Sequence, residues 1–170
     1  LAVSSFGIVK KRMDFIDSFT PSFREAYHRI ADGDAVPSLC YQCCFGDITI
    51  QRIREKFFDA RKKDIAAGTT TAGPHRDDYI LFHENGRLFS VCSSQGQKRT
   101  ASIAFKNAER LFIEDATGES VVVMIDDVFS ELDTERRENL VKSLHGGNQV
   151  IFTMVDTGSL DPVAFEGARM

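Results

Sequence analysis

The stretch Val121-Val122-Val123-Met124-Ile125-Asp126-Asp127 runs through five apolar residues, mostly β-branched, and stops on two adjacent carboxylates. An unbroken run of this kind predicts a strand over 121–125, covered on both faces as in a parallel α/β sheet. Such a strand delivers its last residues to the rim of the sheet. There Asp126 is placed to hold a Mg²⁺ ion through its water shell, and Asp127 to polarise a nucleophilic water. Taken alone, the stretch reads equally well as a strand that simply ends at two polar residues.

Downstream, Ser130-Glu131-Leu132-Asp133 leads into a helix capped by Asp133 or Thr134 and reaching about Leu144, before Gly146-Gly147. Gln149–Thr153 reads as a further short strand. The order strand, helix, strand implies a right-handed crossover unit.

Upstream lies Ser93-Ser94-Gln95-Gly96-Gln97-Lys98-Arg99-Thr100, a small-residue turn opening a helix that runs to about Glu114. Ile103, Phe105, Ala108, Leu111 and Phe112 supply its buried face. The start of a helix binds phosphate oxygens because its orphan N–H groups and its macrodipole point the same way. A Ser-capped helix facing solvent has the same sequence.

Before it, Tyr79–Phe82 and Leu88–Val91 read as two strands around the hairpin dipeptide Asn85-Gly86. Nearer the N-terminus, Phe15, Phe19 and Phe23 form one helical stripe with Ile16, Tyr27 and Ile30, stopped at Asp32-Gly33. Val36–Phe45 reads as a strand. From Asp47, as N-cap, a second helix runs to about Ala67, burying Ile50, Ile53, Phe57, Phe58 and Ile65, and Gly68 closes it. No internal repeat interrupts this order. The chain divides at Gly68–Gly73 into two zones, 1–68 as a mainly helical lobe and 69–170 as the part bearing the chemistry.

Composition narrows the class. With 170 residues and 42% hydrophobic content, the chain can build a core. No apolar run approaches the roughly 18 residues of a membrane span, so a protein without membrane attachment is expected. Cys40, Cys43, Cys44 and Cys92 include a CxxCC cluster, but no second CxxC and no HxxxH completes a zinc set, and reduced core thiols of a cytosolic protein are expected. The first residues carry neither an initiator Met nor a charged-then-apolar leader and read as the interior of a longer polypeptide.

SSQGQKR, then VVVMIDD about 30 residues later, then SELD, together resemble the signature motif, Walker B strand and D-loop of ABC-type ATPases. Gly73-Pro74-His75-Arg76-Asp77-Asp78 ahead of them, and QVIFT after them, narrow the resemblance to the RecF family, the bacterial recombinational-repair member of the SMC-like branch. It covers Gly68–Thr153 strongly and the first zone by position. The fold it implies is α/β, the C-terminal half of an ABC-type P-loop ATPase head with strand-helix-strand crossovers and a mostly parallel sheet, preceded by a mainly helical lobe.

The resemblance also implies roles. Ser94, Gly96 and Gln97 would contact the γ-phosphate of ATP held by the opposite subunit of a nucleotide-dependent homodimer, and Asp133 would be the D-loop aspartate reaching across that interface. Asp126 would be the Walker B carboxylate for Mg²⁺, and Asp127 would occupy the catalytic-carboxylate position. Many ABC ATPases have glutamate where Asp127 stands, and transporter-type members have a switch histidine where Thr153 stands, so slow hydrolysis is implied. Arg76 either serves phosphate chemistry or pairs with Asp77 or Asp78, and the pairing role is the one expected. No GxxxxGK[ST] occurs in the chain, so on its own it is expected to bind ATP feebly or not at all.

For the family, the implied activity is that of a cytoplasmic, weakly hydrolysing, ATP-switched clamp of replication and the SOS response. It binds DNA at single-strand/duplex junctions and, with RecO and RecR, loads RecA at gaps. Two other readings stay open: a non-enzymatic DNA- or protein-binding module, and another SMC-like protein, which the missing heptads disfavour.

The net charge of -4 does not advertise nucleic-acid binding. Locally, however, Arg52, Arg54, Lys56, Arg61, Lys62 and Lys63 crowd one helix, and Lys10, Lys11 and Arg12 another. Of these, Arg52, Lys56, Arg61, Lys62 and Lys63 are the candidate phosphate contacts, provided they share a face. A solvated helix face is the commoner meaning of such a run.

Overall fold

The computed structural model describes residues 1–31, 33–126, 132–144 and 149–153. Its elements are α1 (Ala2–Ile30), β1 (Ser38–Gln42), α2 (Ile50–Ala67), a single 3-10 turn (Pro74–Arg76), β2 (Asp78–Phe82), α3 (Phe89–Cys92), α4 (Gln95–Thr117), β3 (Val123–Asp126), α5 (Thr134–Leu144) and β4 (Val150–Thr153).

They fall into two compact units. One takes Leu1–Ser18 with Ser38–Phe82, the other Phe19–Pro37 with the chain from His83 on. The division differs from the boundary read at Gly68, because β2, beyond that boundary, pairs antiparallel with β1, before it: Ser38 lies opposite Phe82 and Gln42 opposite Asp78. Backbone pairing between distant stretches outweighs the glycine-rich punctuation between them.

In the first unit, Val9, Phe45 and Ile53 are fully or almost fully buried, with Phe6, Tyr41, Ile48 and Phe57 packed on them. Helix α2 starts at Thr49, not Asp47: the Thr49 hydroxyl accepts from the Arg52 N–H at 3.1 Å. It stops at Gly68, whose φ of 65° is the left-handed conformation that ends helices. Its buried stripe is narrower than expected. Ile53 is buried and Phe57 partly so, but Ile50, Phe58 and Ile65 are exposed. Phe58 follows Phe57 by about 100° around the helix, which takes it off the core-facing side.

The Gly73–Asp77 segment is pinned by a buried carboxylate. The Asp77 side chain has no exposed surface; it accepts hydrogen bonds from the Tyr41 hydroxyl and from the Cys44 N–H (2.8 Å), and Arg12 Nη1 stands 3.8 Å away. The Cys44 thiol donates to the Gly73 carbonyl at 3.3 Å. Gly73 has φ 146°, and a Cβ there would meet the His75 ring at 2.8 Å, so this turn requires glycine. Arg12, rather than Arg76, is the cation beside Asp77. Arg76 instead donates to the Thr70 carbonyl at 3.2 Å, so the expected pairing of Arg76 with its neighbouring aspartates is replaced by a contact from 65 positions upstream of Asp77.

Only two of the four cysteines fit the reading as core thiols. Cys43 and Cys44 are half-buried, and burial pushes both thiols up, Cys44 to about 11. Cys40 and Cys92 are exposed. Alkylation of the native chain with iodoacetamide at neutral pH should therefore mark Cys40 and Cys92 first and Cys43 and Cys44 at least about tenfold more slowly, as read by timed peptide mass spectrometry. Equal rates at all four would contradict the packing of Cys43 and Cys44.

The second unit is built on aromatic packing. Phe19 and Phe23, fully buried on α1, meet Phe105 of α4 with ring centroids 4.8 and 6.1 Å apart. Tyr27 packs edge-on to Phe89 at 6.5 Å, and Phe89 lies 4.9 Å from the His83 ring. That burial explains why Leu88–Val91 is not a second hairpin strand. The Asn85-Gly86 turn does form, with Gly86 at φ 76° and its N–H on the His83 carbonyl at 2.8 Å. The chain leaving it turns into α3 to seat Phe89, and β2 takes β1 as its partner.

Strands β3 and β4 are parallel, with Val123 opposite Val150 and Asp126 opposite Thr153, and α5 lies between them in sequence. This is the expected strand-helix-strand crossover. Contrary to expectation, β3 is not covered on both faces: its residues alternate half-buried and exposed, and Met124 is 77% exposed. Among the described residues β3 has β4 as its one strand neighbour. No helix of the described residues is long and apolar enough to cross a membrane.

Candidate functional site

Three chain segments of the second unit build the site. The first is the start of α4. Ser94 is the N-cap in a full capping box: its hydroxyl accepts from the Gln97 N–H at 3.2 Å, and its own N–H donates to Gln97 Oε1 at 3.0 Å. The box fixes two residues of the signature stretch against each other. It leaves the exposed Ser94 hydroxyl hydrogen free of any role in the box, as a donor for an incoming oxygen.

The second segment is the start of α5. Asp133 caps it, accepting from the Arg136 N–H at 2.9 Å. Arg136 reaches back with one nitrogen to Asp133 (2.6 Å) and with the other to Asp34 (2.7 Å). A Cβ on Gly96 would lie 3.6 Å from Arg136 Nη1, so the α4 and α5 starts meet through this guanidinium. The Arg136 N–H, aided by the guanidinium and against partial desolvation, holds the Asp133 carboxyl below the usual carboxylate range. Burial works against the charge on Arg136, but Asp133 and Asp34 more than offset it and its pKa is raised.

Asp133→Ala removes the cap and one of the two carboxylates on Arg136. We expect a loss of about 1 kcal/mol in urea unfolding followed by circular dichroism. The pH dependence has a definite sign. With the folded pKa depressed, the contribution is present above the unfolded value and lost as pH falls through the folded one, so wild type and variant should converge in acid.

The third segment is the strand rim. Asp126 and Thr153 end the two strands in register, both exposed, and the Thr153 hydroxyl donates to Asp126 Oδ1. A cleft of about 340 Å³ runs between α4 and β3, and its lining includes both Arg99 of the early α4 turns and Asp126. Asp126 and the beginning of α4 therefore lie at the same end of the unit. Asp127, Ser130 and Glu131 lie outside the described residues.

The structure thus brings together Ser94, Gly96, Gln97 and Asp133 at two facing helix starts, and Asp126 with Thr153 at the strand rim. Sequence reasoning missed Arg136 and Asp34. The spacing Asp133 to Arg136 was there to read as a capped first turn; the approach of Asp34, 102 positions away, was not.

The basic run on α2 does not form one face. Arg52, Lys56 and Lys63, spaced i, i+4, i+11, share a side of the helix, whereas Arg61 and Lys62 point elsewhere. Arg52 is also paired with Glu55 at 3.2 Å.

The donors present fit a nucleotide and its magnesium in one specific way. Among the described residues no group of three or more His, Cys, Asp or Glu could cage a metal. One exposed carboxylate beside a hydroxyl suits a Mg²⁺ held mainly by phosphates and water, and a capped, exposed helix start suits a terminal phosphate.

No family model matches the chain. The curated protein "DNA replication and repair protein RecF" of Prosthecochloris aestuarii is 36% identical over 168 residues, covering 94% of this chain and 45% of that protein. The RecF of Bacillus subtilis is 41% identical over 116 residues, 68% of this chain and 30% of that protein. A solved structure of the recombination mediator protein RecF with ATP in the RecFOR pathway matches at TM-score 0.75 and 28% identity, covering 92% of this chain and 43% of that one. A second, of RecF-ATPrS, matches at TM-score 0.75 and 27% identity.

The architecture is that of part of an ABC-type ATPase head. The chain belongs to the RecF family and spans less than half the length of the curated relatives it matches.

Proposed function

We propose that the protein containing this chain is an ATP-switched DNA repair and replication clamp of the cytoplasm. In this reading the α4 start (Ser94, Gly96, Gln97) of one subunit closes on the terminal phosphate of ATP bound by another. Asp133 reaches across the interface, and Asp126 takes part in holding Mg²⁺. Bound there, the metal supplies charge neutralisation on the phosphates. Asp127 orients the attacking water, and Thr153 holds Asp126 in place through its hydroxyl. ATP favours the homodimer; slow hydrolysis reopens it and releases DNA. RecO and RecR are the proposed protein partners and single-strand/duplex junctions the DNA substrate, with Arg52, Lys56 and Lys63 the side of α2 best arranged for phosphate contacts. The helical lobe and the ATPase part remain the proposed functional division, although the compact units interleave differently along the chain.

The observation that supports this reading best is the pairing of Asp126 with Thr153 at the strand rim, in one unit with two helix starts joined through Arg136. A turnover assay on the full-length protein tests it. Asp127→Asn should lower steady-state ATP hydrolysis by at least about tenfold while ATP-induced dimerisation, followed by light scattering, persists. Unchanged turnover would remove Asp127 from the mechanism, and loss of neither activity on replacing Asp126 would remove the site.

A further inference from the structure

The side of α2 opposite its core contact is not an ordinary solvated face. Phe58 and Ile65 are 76% and 73% exposed, and they stand two turns apart, about 10 Å along the axis, on one stripe. Arg54 and Arg61 precede each of them by one turn on the same stripe, and Lys62 lies beside it. Among the described residues none of these three cations has a carboxylate partner, in contrast to Arg52, which is paired with Glu55. Large apolar side chains at this exposure, interleaved with free cations, are the pattern of a helix face that receives another helix: anchors at i and i+7, charges around them.

Charge complementarity selects the occupant. Nucleic acid would satisfy the three cations and stack a base on Phe58, but it has no counterpart for Ile65, which is as exposed as Phe58 and has no ring to stack. A helix with leucine-type residues at the same spacing and glutamates or aspartates flanking them satisfies all five. We infer that the Arg54, Phe58, Arg61, Lys62, Ile65 face of α2 docks an acidic amphipathic helix of a protein partner. The inference rests on the α2 face alone and is independent of the nucleotide reading.

The test uses the full-length protein and a labelled synthetic helix with Leu at core positions and Glu at the flanks, read by fluorescence anisotropy. Circular dichroism confirms that each variant folds, which surface positions should allow. Phe58→Ser with Ile65→Ser should weaken binding at least about tenfold. Arg54→Glu with Arg61→Glu should do the same, and should bind a Leu/Lys version of the helix better than the wild-type chain does. No binding of the acidic helix, or equal binding by wild type and variants, overturns the inference. So does tighter binding of an oligodeoxythymidylate that is lost with the arginines but not with Phe58 and Ile65, which would make the face a nucleic-acid surface. Self-association that disappears in the Phe58/Ile65 variant would show that a second copy covers the face, and would overturn it as well.

Discussion

Phe19→Ala should destabilise the second unit by about 3–5 kcal/mol, among the largest losses any single truncation in the described residues can produce. Phe19 has no exposed surface, and its ring is shared between Phe105, at 4.8 Å, and Phe112, at 6.3 Å. Removing it deletes apolar burial and opens a cavity between the last turns of α1 and the middle of α4. Phe105 also packs on Phe23, with centroids 6.1 Å apart, and cannot move into that space without loosening this second contact. Urea unfolding followed by far-ultraviolet circular dichroism reads the loss as a lower midpoint at unchanged slope. Phe58→Ala is the matched control on an exposed helix surface and should stay within about 0.5 kcal/mol of wild type. A loss below about 1 kcal/mol for Phe19→Ala would mean that the ring is not central to the unit. The consequence reaches the site, because α4 carries Ser94 at its start and its orientation is set by this aromatic contact.

Phe19 also illustrates what the sequence made legible. The stripe Phe15, Phe19, Phe23, Tyr27 is a helical period and needs no tertiary information, so the second half of α1 and its buried face could be read directly. The same holds for the Ser94 cap, for Gly68 and for the β3-α5-β4 order, which follow from local preferences and from β-branched runs. Reading failed where the outcome depends on what approaches from far along the chain. Leu88–Val91 has the composition of a strand, but Phe89 is claimed by Tyr27. Phe57 and Phe58 are indistinguishable by hydrophobicity, and only the helix phase set by Ile53 decides which one is buried. In the site itself, the identities at Ser94, Gly96, Gln97, Asp126, Asp133 and Thr153 stand out in the sequence as motif positions. Their coupling through Arg136 to Asp34, and the hydroxyl of Thr153 on Asp126, are tertiary contacts with no local signature.

The strongest polar case of such a long-range contact lies in the first unit, where Asp77→Ala should cost about 3 kcal/mol. The carboxylate is completely buried and receives the Tyr41 hydroxyl, the Cys44 N–H and the charge of Arg12. Alanine removes all three at once and leaves a half-buried hydroxyl and a half-buried amide without that acceptor. The Arg12 end contributes least, since that side chain is about a third exposed. Asp77→Asn keeps an acceptor for the Cys44 N–H and should cost only about 1 kcal/mol, which separates the hydrogen bonds from the charge. The cluster also sets an alkaline limit. Burial first, and the hydrogen bond to Asp77 second, raise the Tyr41 pKa above its ordinary value of 10.0. A raised folded pKa means that the stabilisation is complete below the unfolded value and is lost as pH climbs through the folded one. Wild type should therefore lose stability above about pH 10 more steeply than Tyr41→Phe, which has no proton to release. Parallel alkaline profiles for the two proteins would show that the Tyr41 hydroxyl does not hold Asp77, and with it the Gly73–Asp77 turn, in the folded chain.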